Sequence, residues 1–329
     1  MASTSADRVP SLLADWRALL QTTDGEAVSA VLSEELGHQL DAPLNRHDTP
    51  GDGGMLVVAG APLVQSTPIA QASPGRTRHE FRNSAAFAAL RSDGSVVSWG
   101  SSSGGDSSGV DFDGPNNNLT VSQIFSNTNA FAALRSDGSV VTWGDPPYGG
   151  DSSGVDFDGP NNNLSVSQIF SKCSAFAALR SDGSVVSWGS ASDGGNSSGV
   201  DFDGPNNNLT VSQIFSNHTA FAALRSDGSV ISWGLSWAGG DSSGVDFDGT
   251  NNNLTVSQIF STYYAFAALR SDGSVVSWGF SSYGGNSSGV DFDGPNNNLS
   301  VSQIFSTAFA FAALRSDGSV VSWGDSSYG

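Results

Sequence analysis

Short apolar-rich segments, separated by turn-forming polar residues and glycine, recur along this chain and predict β-strands. Three segments in one stretch have the length and apolar content of a strand: Val-Ser-Gln-Ile-Phe (121–125), Ala130 to Leu134, and Ser139 to Trp143. Arg-Ser-Asp-Gly (135–138) forms the turn before the third strand, because glycine adopts positive φ freely. A Val-Asp-Phe segment (155–157) that follows is a candidate for a fourth strand.

This pattern returns along the chain. Phe-Ala-Ala-Leu-Arg-Ser-Asp-Gly-Ser-Val-Val-Ser-Trp-Gly occurs six times with little change, at spacings of 44 residues once and then 45 residues. The copies begin at Phe87, Phe131, Phe176, Phe221, Phe266 and Phe311. Such a period is typical of repeat architectures, in which one unit is too small to fold alone.

Three or four antiparallel strands and one Trp in each unit predict an all-β fold, a β-propeller of about six blades, with seven as the alternative. An open stack of hairpins and a β-solenoid are the competing architectures. Solenoid coils need fewer residues and lack a hairpin turn in every unit, so the propeller is favoured.

The repeat also resembles a known family. Ala-Leu-Arg-Ser-Asp-Gly-Ser-Val-Val-Ser-Trp-Gly, the aromatic residue before glycine at Tyr148-Gly149, and Val-Ser-Gln-Ile-Phe are similar to the repeat of the regulator of chromosome condensation family, over residues 80–329. The resemblance implies a propeller, usually of seven blades, that binds proteins through loops on one face. Here the copies number six, are shorter and are nearly identical, as in repeat arrays of large bacterial, particularly cyanobacterial, surface proteins. No surface for nucleotide exchange on a small GTPase can be mapped onto the sequence.

Charge and composition exclude several functions. The 329 residues carry a net charge of −19, which repels phosphate backbones and disfavours nucleic acid as a partner. No apolar run is long enough to span a membrane, and no standard signal peptide is recognisable. The single Cys excludes an intrachain disulfide.

The likeness to surface proteins places the chain outside a bacterial cell or on its surface, with the cytoplasm as the alternative. The near-identical copies also predict self-association through strand edges.

Comparison of the copies separates scaffold from variable positions. One variable segment follows each Phe-Ser pair and the other follows each Trp-Gly pair. Loops on a rigid scaffold are common binding sites, and aromatic residues give contact area at modest entropic cost, whereas drift at exposed positions is the alternative explanation. The candidate contact residues, for an unknown protein or glycan, are Tyr263, Tyr264, Leu235, Trp237, Phe280, Lys172 and His218. Tyr148, Tyr283 and Tyr328 share one position, and we assign them to the blade instead.

The spacers between units carry a second candidate site. Each contains Asp-x-Asp-Gly followed by Asn residues, and such hard oxygen ligands suit Ca²⁺. Glycine falls at position four rather than six and no Glu closes the loop, so a plain turn capped by Asp and Asn is favoured over the metal site. The candidate ligands are Asp111, Asp113, Asn116, Asp156, Asp158, Asn161, Asp201, Asp203, Asn206, Asp246, Asp248, Asn251, Asp291, Asp293 and Asn296. No other cofactor is expected.

The sequence before the repeats has a different character. Residues 1–63 predict a helical segment, with helices over 10–21 and about 26–40, followed by a linker over 64–82 and the propeller over 83–329. Within the second helix, Glu35 and His38 match part of a zincin motif, but the first His of that motif is replaced by Glu34, so the segment resembles a degenerate metallopeptidase. A strand over 55–59 is a candidate to complete the last blade.

These features favour a noncatalytic repeat scaffold that binds proteins or glycans or builds a cell-surface layer. A Ca²⁺-stabilised adhesive array is one alternative. A metallopeptidase remnant with a propeller appendage is the other.

Overall fold

The computed structural model describes residues 83–91, 93–249, 253–296 and 298–329. Within them, 17 strands form six antiparallel sheets in chain order, which we call blades 1 to 6. Blade 1 has β1 (Ala86–Leu90) and β2 (Val96–Gly100); blade 2 has β3 (Val121–Ser126), β4 (Ala130–Arg135) and β5 (Val140–Gly144); blade 3 has β6 (Val166–Ser171), β7 (Ala175–Arg180) and β8 (Val185–Gly189); blade 4 has β9 (Val211–Ser216), β10 (Ala220–Arg225) and β11 (Val230–Gly234); blade 5 has β12 (Val256–Ser261), β13 (Ala265–Arg270) and β14 (Val275–Gly279); blade 6 has β15 (Val301–Ser306), β16 (Ala310–Arg315) and β17 (Val320–Gly324).

The predictions of an all-β repeat fold, of about six blades, and of three strands with a tight turn in each full unit are confirmed. A short helix follows the last strand of each of blades 1 to 5: α1 (Ser102–Gly105) after blade 1, and single 3-10 turns at Pro146–Tyr148, Ala191–Asp193, Ser236–Ala238 and Ser281–Tyr283 after the next four. The predicted N-terminal helices, the linker to residue 82 and the strand over 55–59 lie outside the described residues.

Each blade presents two different apolar faces, because side chains alternate along its strands. In blade 2, Phe125, Ala130, Ala132 and Leu134 pack towards blade 3, and we call this the forward face. Phe131, Ala133 and Trp143 of the same blade pack towards blade 1, and we call this the rear face.

Forward and rear faces meet five times along the chain, once between each pair of successive blades. At the contact of blades 2 and 3, the rear face consists of Val166, Ile169, Phe176, Ala178 and Trp188. The central strand contributes mostly alanine, whose small side chain lets neighbouring sheets approach and leaves room for the Phe and Trp rings. Within the blade, Phe176 stacks on Trp188 with ring centroids 5.1 Å apart.

Of the two alternatives, three or four strands in each unit, the candidate fourth strand over 155–157 is not formed. Residues 155 and 156 are irregular and residue 157 lies in a bend, yet Val155 and Phe157 contribute to the core between blades. Phe157 packs edge-on against Trp188 of the next blade, with ring centroids 5.1 Å apart. Arg180 donates hydrogen bonds to the carbonyl oxygens of Asp156 and Phe157, so the backbone of the spacer bonds to an Arg side chain instead of a neighbouring strand.

Candidate functional site: the aromatic face

The turns between the first and second strands of neighbouring blades lie side by side. The N–H of Thr128 donates to the carbonyl oxygen of Cys173 (3.0 Å), and the N–H of His218 donates to that of Tyr263 (3.0 Å). Tyr263 in turn donates to Ala308 (2.9 Å). These bonds join equivalent positions 45 residues apart, so the first variable segment of each blade lies next to that of its neighbour.

The second variable segment is tied to the first within each blade. In blade 4, the Oδ1 atom of Asn217 accepts hydrogen bonds from the N–H groups of Thr219 and Ala220, which caps the turn. Its Nδ2 atom donates to the carbonyl oxygen of Ala238, 2.7 Å away in the loop after the third strand. Thr262 of blade 5 reaches Tyr283 in the same way, at 3.0 Å. Both kinds of variable loop therefore meet at one end of the blades.

Aromatic side chains from blades 4 to 6 form one connected network at this end. The ring of Trp237 lies 5.1 Å from that of Tyr264 and 5.5 Å from that of Phe280, between centroids. The network continues from Tyr283 to Phe309 (5.0 Å). We call the set the aromatic face: His218, Trp237, Tyr263, Tyr264, Phe280, Tyr283, Phe309 and Tyr328.

Part of the aromatic face is open to solvent. Trp237, Phe280 and Tyr328 are 50%, 39% and 55% exposed, while Tyr263 and Tyr264 are half-buried beneath their neighbours. The structure thus brings together Tyr263, Tyr264, Trp237, Phe280 and His218 from the sequence-based candidates. Leu235, also half-buried, lies at the start of the same loop as Trp237.

Three residues of the aromatic face were missed from the sequence. Tyr283 and Tyr328 were assigned to the blade scaffold because they share a position with Tyr148, yet both contact Phe309 in the network. Phe309 occupies the same position in its copy as Tyr264 in the copy before, and that correspondence was the available signal.

Lys172, another sequence-based candidate, is buried rather than displayed, with only 2% of its surface exposed. It replaces the capping Asn or Thr of other blades, and its Nζ atom lies 4.2 Å from the centre of the Phe221 ring. The Nζ atom has no hydrogen-bond partner among the described residues. Burial lowers the pKa of Lys172 well below its ordinary value, an effect that nearby Asp193 and Cys173 only partly oppose.

Cys173 forms a polar pair with His218 of the aromatic face. Burial raises the pKa of the Cys173 thiol, but hydrogen bonding with His218 and Thr128 outweighs it and brings the pKa to about 7. The Sγ atom of Cys173 lies 3.3 Å from Oγ1 of Thr128. Hydrogen bonding with Cys173 raises the pKa of His218, while burial opposes this shift. The chain therefore holds one thiol with substantial thiolate character near neutral pH.

The acidic spacers form turns through their own side chains. The carboxylate of Asp156 accepts a hydrogen bond from the N–H of Gly159 (2.7 Å), and that of Asp158 accepts one from Nδ2 of Asn162 (3.0 Å). The equivalent pair Asp246 and Gly249 is joined at 2.7 Å. Asn251 lies outside the described residues. Within the described ranges, no cluster of three or more His, Cys, Asp or Glu residues has the arrangement of a metal site.

Glu35 and His38, the remnants of a zincin motif, also precede the described residues, and no site is built from them. In the described part of the chain, no helix has the length and apolarity needed to cross a membrane.

Several solved structures are similar to this chain. Human WBSCR16 shares 21% identity over 63% of this chain and 62% of its own, with a TM-score of 0.41. The ectodomain of the receptor kinase CR4 from Physcomitrella patens shares 17% identity over 75% and 63%, with a TM-score of 0.41. Yeast RCC1 (Prp20), solved bound to Kap60, shares 16% identity over 80% and 72%, with a TM-score of 0.39.

The chain spans 62% and 63% of the lengths of the first two of these structures. No protein-family model matches the sequence, and no curated protein matches it. The class of protein therefore follows from the strand order and the five blade contacts, which define a β-propeller repeat scaffold.

Proposed function

We propose that this chain is a noncatalytic scaffold that binds a partner protein through the aromatic face. The observation that carries the proposal is the convergence of variable residues. Trp237, Tyr264 and Phe280 belong to three different loops, yet they form one partly exposed cluster. Aromatic residues of this kind dominate binding energy at protein interfaces, because they bury a large area with few rotatable bonds.

The blade beneath the aromatic face supports binding with little reorganisation. The loops that carry these rings are fixed by the Asn217 and Thr262 hydrogen bonds and by the backbone bonds between neighbouring turns. A surface that is ordered before binding loses less conformational entropy when the partner docks. The net charge of −19 favours a partner surface that carries basic residues around an apolar centre.

A glycan ligand is the second form of the proposal, because sugar rings also stack on exposed aromatic side chains. A location at a bacterial cell surface is part of the same proposal. It rests on the likeness of the near-identical repeats to arrays of surface proteins.

The test is a selection of random displayed peptides, alongside a glycan panel, against the full chain and against the triple variant Trp237→Ser/Tyr264→Ser/Phe280→Ser. Each new residue is one that another copy carries at the same position, so the scaffold is preserved. We expect the wild-type chain to retain ligands that the triple variant does not bind. The variant Asn206→Ala, in an exposed spacer, is the matched control and should retain them.

Peptides that bind the wild-type chain and the triple variant equally would overturn the assignment of the aromatic face. Glycans retained in place of peptides would replace the partner protein by a sugar ligand. Circular dichroism of the triple variant establishes that a lost ligand reflects the surface and not an unfolded chain.

A further inference from the structure

Between successive blades, a forward face packs on a rear face. In the described part of the chain, the forward face of blade 6 and the rear face of blade 1 have no such neighbour, and both are partly exposed. Phe305 and Val320, on the forward face of blade 6, are 52% and 62% exposed. Their counterparts Phe260 and Val275 in blade 5 are only 2% and 7% exposed, because the rear face of blade 6 covers them. The forward face of blade 6 is thus an apolar surface without a cover among the described residues.

The rear face of blade 1, which is the kind of face that a forward face covers elsewhere, is also exposed. Phe87 and Trp99 stack on each other with ring centroids 5.5 Å apart, and they are 64% and 38% exposed. Their counterparts Phe176 and Trp188 in blade 3 are 0% and 3% exposed, because the forward face of blade 2 covers them. Rings that lie inside the core in the other blades therefore reach solvent at blade 1.

The hairpin turn of blade 6 shows the same difference. A Cβ atom placed on Gly138 would lie 2.4 Å from Cβ of Ser165, and one on Gly228 would lie 2.4 Å from Cβ of Thr255. Both of these residues immediately precede the first strand of the following blade. No described residue lies within 4 Å of a Cβ atom placed on Gly318, the corresponding glycine of blade 6. The backbone of this turn has the same conformation as in a blade that contacts the next one, since the φ of Gly318 is +85° and that of Gly228 is +83°.

We propose that the forward face of blade 6 binds the rear face of blade 1 of a second copy, so that chains associate head to tail. The occupant is a second copy because the two faces are the halves of one contact that already forms five times within the chain. Within the part of the chain that the structure describes, both halves are exposed, at opposite ends of the blade series. Such a heterologous contact leaves free ends after each addition, and it extends to longer assemblies unless a ring closes.

The charge of the chain sets the condition for this association. Each copy carries a net charge of −19, so copies repel one another in dilute buffer. Added NaCl screens this repulsion without weakening the apolar contact. Head-to-tail association therefore increases with salt, in contrast to an assembly held by ion pairs.

Two variants of the full chain separate this contact from any other. Phe87→Glu places a charge on the rear face of blade 1, and Val320→Glu places one on the forward face of blade 6. Both positions are more than half exposed in a single chain, so each variant should fold, which circular dichroism and the thermal midpoint check. The quantity measured is the mass in solution, by light scattering, over a wide range of concentration at low and high NaCl.

The wild-type mass is expected to rise with concentration and with salt, beyond that of a dimer. Each variant alone should stay at the monomer mass of 33.8 kDa. An equimolar mixture of the two should form dimers and stop there, because each variant retains the face that the other lacks. Phe280→Ser, on the aromatic face, is the matched control and should associate like the wild-type chain.

A wild-type chain that stays monomeric throughout would overturn the proposal, and it would mean that the chain covers its own end faces. Association of both single variants, or loss of association in Phe280→Ser, would also overturn it and would place the contact elsewhere. The proposal does not depend on the function of the aromatic face, and either can fail without the other.

Discussion

The indole Nε1 of Trp233 donates a hydrogen bond to the carbonyl oxygen of Gly194, 3.1 Å away in the loop of the preceding blade. The same bond joins Trp188 to Gly149, at 3.2 Å, and it recurs in the last two blades. In blade 2, Nε1 of Trp143 is buried and has no hydrogen-bond partner among the described residues. The loop before it has three residues (101–103) where the next has four (145–148), which accounts for the spacing of 44.

This difference gives a matched pair of substitutions. Trp233→Phe leaves the Gly194 carbonyl without its donor, whereas Trp143→Phe removes no hydrogen bond. We expect Trp233→Phe to cost about 1 kcal/mol more in the free energy of unfolding, which urea titration of both variants measures. Equal losses would show that the indole bond does not contribute to the contact between blades.

Gly239 should not tolerate a side chain. Its φ is +93°, and a Cβ atom would lie 2.8 Å from Cδ2 of Phe266 in the next blade. Gly239→Ala should lower the free energy of unfolding by about 1–3 kcal/mol from backbone strain, with a further loss from the ring contact. Gly244→Ala is the control, because its Cβ atom would have no described residue within 4 Å. Similar midpoints of the two variants in urea would contradict this account.

Replacement of Lys172 by asparagine, the residue at the same position in blades 2 and 4, should stabilise the chain. The variant restores the turn cap and removes a buried amine without a hydrogen bond, for a gain of about 1–3 kcal/mol.

The gain from Lys172→Asn should depend on pH. The folded state lowers the pKa of Lys172, so the unfolded chain binds more protons between that lowered pKa and the ordinary value of 10.5. Wild-type stability therefore rises with pH across this window relative to the variant. The difference between their thermal midpoints should be largest at the low end and shrink towards pH 10.5. A difference that is constant with pH would show that Lys172 is not buried as described.

Cys173 should react with iodoacetamide through a thiolate that forms near neutral pH. Its pKa of about 7 predicts a half-maximal alkylation rate near that pH, measured by mass spectrometry of the intact chain. His218→Thr should move the half-maximum up towards the ordinary value of 9.0, because the hydrogen bond with the imidazole is lost. Thr128→Ser keeps a hydroxyl beside the thiol and serves as the control. The same profile in wild type and His218→Thr would argue against the pair.

Calcium should leave the thermal midpoint unchanged at about 2 mM, a level suited to weak extracellular sites, compared with excess chelator. The reason is that carboxylates such as Asp156 and Asp158 already accept hydrogen bonds inside their turns. A midpoint that rises and saturates with Ca²⁺ would instead assign the spacers as metal sites. Asp156→Asn/Asp158→Asn should then reduce the rise.

The repeat fold was predictable because the same local sequence pattern occurs six times along the chain. The strand over 121–125 and the turn at Gly138 follow from the apolar content of strand-length segments and from turn chemistry. The candidate strand over 155–157 is not formed, because alternation of apolar and polar residues does not by itself provide a strand to pair with. The apolar ring of Phe157 packs on Trp188 instead, and the carbonyl oxygen of Phe157 accepts a hydrogen bond from Arg180.

The candidate site was predictable only in part. Variable positions such as Trp237 and Tyr264 stood out by comparison of copies, but their contact depends on which loops the blade contacts bring together. Burial of Lys172 could not be foreseen, since an isolated Lys in a variable loop is usually exposed. Its replacement of a capping Asn is visible only once the Asn217 bonds are known.

The most direct test of the aromatic face is the affinity of the tightest selected ligand for three forms of the chain, by isothermal titration calorimetry. Trp237→Ser should weaken binding by at least about tenfold, as the loss of a central aromatic contact does at protein interfaces. Asn206→Ala should bind like the wild-type chain. Equal affinities for wild type and Trp237→Ser, with weaker binding to Asn206→Ala, would place the contact on the acidic spacers and contradict the proposed function.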